Sequence, residues 1–302
     1  MYIQSKKTSY LAIVVVSLIW STTFLALSFG LDSLPPLFVS GGRQMISGIL
    51  ILMYCFYKRY RIPNWELLKQ VLLSGFLMVL VSNTLVTLSL NYVSSGFATV
   101  LFTLVPIFIA IITIFILGTE KLNIWIAIGL LLGLAGLLAL SWSGIARPDR
   151  PSSPIGLATL IIGILCWSIG TISPKNITEQ ISPLLIAGIQ LFVFGLAMFA
   201  ISFVVEDISL HNIQPQSLWA IGYLIVFDSI IGYGCYLFAL SKVPASVVSL
   251  YAYVVPVVAV LAGWLLRGEK ITMQTILYSV LILIGVFVVE KGYTKNKKQR
   301  IK

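Results

Sequence analysis

Ten stretches of about twenty apolar residues, parted by Pro, Gly or clusters of charge, dominate the chain. They run over 10–30, 36–57, 68–90, 94–117, 121–142, 154–173, 183–204, 217–240, 244–266 and 272–290. A soluble core has no room for so many; a bilayer does. Within hydrocarbon each backbone N–H and C=O needs a partner inside its own segment, so every stretch is expected to be a helix. Composition agrees: 59% of the 302 residues are hydrophobic and 10% charged, against about 25% charged in an ordinary soluble domain. The first stretch is longer than a signal-peptide core and has no small-residue cleavage site, so it is expected to stay as a span. The expected fold class is all-α integral membrane, with ten transmembrane helices.

Lysine and arginine orient the spans. With the N-terminus in the cytoplasm, 15 basic residues fall on the inner side and four (Arg147, Arg150, Arg267 and Lys270) on the outer side. Arg43 is left within a span. Both termini are therefore expected in the cytoplasm of a multi-pass inner (plasma) membrane protein. Net charge is +10, but the charges sit in short loops and at the tail, which suits topology rather than nucleic acid. The tail from Lys291 reads as a solvated basic end beside anionic lipid.

The sequence repeats itself. Leu18-Ile19-Trp20-Ser21 returns as Leu165-Cys166-Trp167-Ser168, Val105-Pro106 as Val255-Pro256, and Gly118-Thr119-Glu120-Lys121 as Gly268-Glu269-Lys270. The offset is 147 early in the repeat and 150 later. Each copy holds five spans, an odd number, so consecutive copies are expected to cross in opposite senses as inverted repeats. The division is 10–142 for the first repeat, 143–153 for a Pro-rich polar linker, 154–290 for the second repeat and 291–302 for the basic tail.

These landmarks resemble the EamA domains of the drug/metabolite transporter superfamily over about 11–290. The resemblance rests on the Leu-Ile-Trp-Ser start of each half, the Pro of spans four and nine, and the Gly-(Thr)-Glu-Lys that follows each. It implies a secondary transporter whose spans 1–4 and 6–9 surround a central cavity, with spans 5 and 10 outside. It also implies export of amino acids or other small metabolites and drugs. Import or exchange of a nucleotide-like metabolite such as S-adenosylmethionine is the second reading, and a passive facilitator the third.

Deep polar groups are costly in a bilayer: a charge at its centre costs about 2.5–3.5 kcal/mol on insertion scales, so each needs a reason. Two charges lie deep, Arg43 in span 2 and Asp228 in span 8. Substrate contact or proton coupling competes with a structural ion pair as that reason. Ser40, Arg43 and Ser47 share a stripe with Tyr54 further along, as do Asp228, Gly232 and Tyr236. Asn83, Thr87 and Asn91 line span 3, and Asn83 corresponds by offset to Tyr233 as Arg43 does to Gln190. Trp20 and Trp167 head equivalent stripes and are expected to wall or gate the cavity. Thr103 and Tyr253 lie beside Pro106 and Pro256, whose missing N–H groups allow kinks that would serve as hinges. The candidate substrate-binding residues are thus Trp20, Arg43, Asn83, Thr103, Trp167, Asp228, Tyr233, Tyr236 and Tyr253.

Other classes find little footing. Catalysis by a serine nucleophile needs a nearby base, and the one histidine, His211, sits in an external loop. An acid dyad needs a second deep carboxylate. There is no GxxxxGK[ST] loop for ATP and no metal-ligand cluster, so neither cofactor nor metal is expected. Cys55, Cys166 and Cys235 read as small packing residues. The glycines Gly129, Gly133 and Gly136 of span 5 fit helix contact within a monomer or across a homodimer.

Overall fold

The computed structural model describes residues 2–93, 95–140, 153–172, 175–178, 180–209, 211–267 and 273–300. Among these residues the architecture is helical throughout. In chain order the long helices are α1 (Tyr2–Leu31), α2 (Pro36–Tyr57), α3 (Trp65–Ser89), α4 (95–116), α5 (Ile124–Leu140), α6 (Pro154–Ile172), α7 (Pro183–Val205), α8 (Pro215–Leu240), α9 (245–267) and α10 (Met273–Arg300). Eight are long and apolar enough to cross a membrane, and two shorter apolar helices lie at Ile124–Ala139 and Ala245–Val258. Proline opens α2, α6, α7 and α8, where its missing N–H is one of the helix-start orphans in any case. The linker of 143–153 falls almost wholly outside the described residues, as does Glu269-Lys270. α10 runs on past the expected end of the tenth span, through the lysines to Arg300, with Lys291 and Lys295 exposed. There Lys291 and Lys295 lie 4.7 Å and 4.1 Å from the centre of the Trp125 ring at the start of α5. Cation–π attraction, about 0.5–1 kcal/mol when exposed, gives this helical extension a foothold.

Glycine determines how the two halves meet. In α2, a Cβ on Gly41 would fall on the backbone of Phe199, and one on Gly48 on that of Phe192. From the α7 side, Gly195 presses on Met45 and Gly188 on Ile51. Position 41 thus faces 199 and 48 faces 192, so α2 and α7 run antiparallel with their backbones nearly touching. By the repeat offset, Gly41 and Gly48 are the counterparts of Gly188 and Gly195. The same device joins α5 to α10: Gly129 meets Val289, Gly136 meets Ile282, and Gly285 meets Gly133. The glycine face of α5 is therefore occupied within the chain.

One end of the bundle carries a second kind of contact. Both carboxylate oxygens of Glu206, just past α7, accept backbone N–H groups at the start of α2, from Leu37 at 2.8 Å and Phe38 at 2.9 Å. The four N–H groups that open a helix have no internal partners, and a carboxylate there also faces the positive end of the helix dipole. Glu206→Ala is expected to lower stability by about 1–2 kcal/mol, read as an earlier thermal unfolding transition of the detergent-solubilised protein, whereas Asp207→Ala should leave it unmoved.

Candidate functional site

α3 and α8 each hold a π-helical segment, Phe76–Ser82 and Leu224–Gly232. They occupy corresponding places in the two repeats, ending just before the matched Asn83 and Tyr233. The wider turn frees carbonyl groups for side chains, and such segments often mark functional sites. Here Asn83 Nδ2 donates to the Met78 carbonyl (2.9 Å), and Ser47 Oγ, reaching across from α2, to the Ile225 carbonyl (3.1 Å).

Between these segments lies a cavity holding about 820 Å³ of space between atoms, its mouth included. Its walls come from α1–α4 and α6–α9, with no lining residue from α5 or α10. Arg43 and Asp228 meet in it as a buried ion pair between α2 and α8. Each is further held: Arg43 Nη1 donates to Ser229 Oγ (2.8 Å) and Nη2 reaches Asn83 Oδ1 (3.5 Å), while Thr23 Oγ1 of α1 donates to Asp228 Oδ1 (2.9 Å). A deep pair survives only with such extra bonds, because taking two charges out of water costs several kcal/mol per ion.

The second half answers with an uncharged version. Gln190, the counterpart of Arg43, accepts from Tyr233 OH (2.7 Å) and donates to the Val71 carbonyl (2.9 Å) and Ser74 Oγ (2.6 Å). In both halves, then, a polar side chain of the second helix bonds the residue that directly follows the π segment of its own repeat and also reaches the opposite repeat. Asp228 corresponds to Met78, so the charge belongs to one side only.

Trp20 and Trp167 both line the cavity, with ring centres 5.5 Å apart. Tyr251 lies 4.8 Å from Trp20, and Tyr236 packs on both tryptophans at 5.1 Å and 5.5 Å. This cluster sits on the side of the cavity toward the α8–α9 turn, since Tyr236 is two turns beyond Asp228 along α8 and Tyr251 is near the start of α9.

Of the expected site residues, Trp20, Arg43, Asn83, Trp167, Asp228 and Tyr233 come together on the cavity wall. Tyr236 stands one layer behind, its OH 2.6 Å from Thr171 Oγ1. Thr103 and Tyr253 lie away from the wall: Thr103 returns its hydroxyl to the Val100 carbonyl at 2.6 Å, and the Tyr253 ring packs against Gly133 of α5. Tyr54 faces outward, 48% exposed, and Asn91 falls in the turn after α3. Pro106 follows a 3₁₀ turn, Phe102–Leu104, that begins at the residue whose carbonyl its ring obstructs. Pro256 lies inside a helix that is broken earlier, at Ser249–Leu250. Sequence reading missed Gln44, Ser82 and Ser229 on the wall. Gln44 and Ser82 are deep polar residues beside more conspicuous neighbours, Arg43 and Asn83, and that adjacency was the available signal.

An apolar helical bundle that encloses a cavity holding a buried ion pair, with walls drawn from two related halves, defines a multi-pass membrane transporter. The chain belongs to the EamA-like transporter family, whose pattern matches residues 7–142 and again 154–290. It is 30% identical over 283 residues to the uncharacterized inner membrane transporter YedA of Escherichia coli strain K12, covering 93% of this chain and 90% of that protein. It is 28% identical over 288 residues to the uncharacterized transporter YoaV of Bacillus subtilis strain 168, covering 95% and 98%. A solved crystal structure superposes with a TM-score of 0.77 at 17% identity, covering 96% of this chain and 98% of the other, a likeness of fold.

Proposed function

We propose that the protein is a ten-span secondary carrier of the inner membrane, with both termini cytoplasmic. It exports small amphiphilic metabolites, amino acids among them, by alternating access between two inverted repeats divided at 143–153. The observation that carries this reading is the cavity between the halves, with the Arg43–Asp228 pair at its heart. The antiparallel α2–α7 and α5–α10 contacts support the inversion, because each pairs helices that correspond in the two repeats. Occupation of the α5 glycines within the chain supports a monomer.

The charge inventory guides the substrate class. Arg43 is the one cation among the lining residues, and Asp228 neutralises it. That favours a zwitterion or neutral amphiphile over a phosphorylated nucleotide, which needs unpaired basic groups. A substrate carboxylate takes the place of Asp228 on Arg43, and Asp228 accepts the coupling proton as it is released.

With the basic loops inside, the α8–α9 turn is cytoplasmic and the aromatic cluster is an inner gate in its closed position. Val79→Cys, on the cavity wall, tests this in a background freed of the three native cysteines. A membrane-impermeant thiol reagent is expected to label it from outside roughly tenfold faster than from inside, and a transported substrate should narrow that ratio. Equal labelling from both faces without substrate contradicts the carrier and supports a facilitator.

A further inference from the structure

Six residues of the cavity wall, Trp20, Arg43, Gln44, Ser82, Trp167 and Tyr251, carry a buried polar atom without a hydrogen-bond partner, and two of them, Gln44 and Ser82, are neutral and non-aromatic. Gln44 and Ser82 are each 1% exposed, and neither Gln44 Oε1 nor Ser82 Oγ has a hydrogen-bond partner. Ser82 is unusual among its neighbours. Ser74, Ser89 and Ser168 all return their hydroxyls to a carbonyl three or four residues back. Ser82 closes the π segment, where the carbonyls are out of step with that habit. A buried polar atom left unmade costs about 1–3 kcal/mol, so such groups are kept for a partner.

The pair belongs to one layer. α2 and α3 are linked by Ser40 with Thr87 (3.0 Å) and by Arg43 with Asn83 (3.5 Å). The same antiparallel register sets Gln44 at the level of Ser82, beside the ion pair. Neither group ionises, so the pair selects by hydrogen bonding and not by charge. The related places in the second half are Leu191 and Gly232, and Leu191 lines the cavity. At these matched wall positions the first repeat thus offers a polar side chain, Gln44, where the second offers an apolar one, Leu191.

We propose that Gln44 and Ser82 form a neutral polar pole that receives an N–H or O–H group of the bound amphiphile, orienting its apolar body toward Leu191. The proposal rests on the carrier reading and fixes which end of the molecule meets Gln44 and Ser82. It is tested by calorimetric titration of the purified full chain in lipid nanodiscs with three probes that share a carboxylate and an isobutyl group. These are L-leucine (amine), 2-hydroxy-4-methylpentanoate (hydroxyl) and 4-methylpentanoate (neither). One or both donor-bearing probes are expected to bind about tenfold tighter than 4-methylpentanoate; which of them does so tells amine from hydroxyl. Gln44→Leu, which copies the residue of the related half, should bring the ratio to within about twofold. Ser82→Ala, a milder change, should lower it about threefold. Equal affinities in the unaltered protein would mean that water satisfies the pair and would overturn the proposal. So would a ratio that survives both substitutions, or a failure of all three probes to bind. Because binding is read without flux, a selective pole in a protein that moves nothing would sink the carrier and leave the pole standing.

Discussion

Asp228→Asn is expected to destabilise the protein by about 3–5 kcal/mol and to abolish transport. The physical reason is the company Arg43 keeps. Its guanidinium is 4% exposed, and the carboxylate of Asp228 is its charge partner. Removing that charge leaves a cation stranded among Ser229, Asn83 and apolar walls, where two neutral contacts do not replace one ion. Arg43→Gln should do comparable harm by stranding the carboxylate, with Thr23 its remaining partner. The double variant separates the two effects. Arg43→Gln with Asp228→Asn has no buried charge left, and replacing a complete pair is often close to neutral for stability. It should regain most of the lost stability in thermal unfolding followed by tryptophan fluorescence, yet remain inactive in flux. If the double variant transports normally, the pair is structural and the substrate binds elsewhere.

A change that removes no charge should be as damaging. Gly48→Leu is expected to prevent recovery of folded, monodisperse protein, a loss of more than about 3 kcal/mol. A side chain at 48 meets the Phe192 backbone, which cannot rotate aside as a side chain would. Overpacking a core that yields costs about 1–3 kcal/mol, and here the α2–α7 seam itself would have to open. Gly195→Leu should fail in the same way against Met45. Gly42→Ala is the control: its Cβ would lie 3.4 Å from the Phe199 ring, ordinary contact with a side chain, and it should express and unfold like the unaltered protein. Survival of Gly48→Leu with an unchanged elution profile would mean that the halves are not held by this crossing.

The contrast between these two sites explains what could be read from the sequence. The helices were legible because a bilayer demands long apolar segments, and the repeat was legible because its landmarks recur at a near-constant offset. Arg43 and Asp228 stood out because charge is rare inside spans, and so did Trp20, Trp167, Asn83 and Tyr233. That the two charges pair was not legible, since nothing local links position 43 to position 228. The π segments were hidden too: Phe-Leu-Met-Val-Leu-Val-Ser reads as ordinary apolar helix, and the wider turn becomes worthwhile only when side chains of packed helices use the freed carbonyls. Thr103 and Tyr253 drew notice from their neighbouring prolines, yet the rotation of a helix about its axis is settled by packing, which turned Tyr253 toward Gly133. Gln44 was overlooked for the opposite reason, being judged by the stripe of its charged neighbour.

The most direct test is flux from proteoliposomes loaded with a mixed metabolite pool, with and without an imposed proton gradient, read by mass spectrometry. The proposed carrier predicts saturable movement of one class of small zwitterionic or neutral amphiphiles that responds to the gradient and disappears in Asp228→Asn. Movement that never saturates, or that Asp228→Asn leaves unchanged, would contradict a gated cavity built around the Arg43–Asp228 pair.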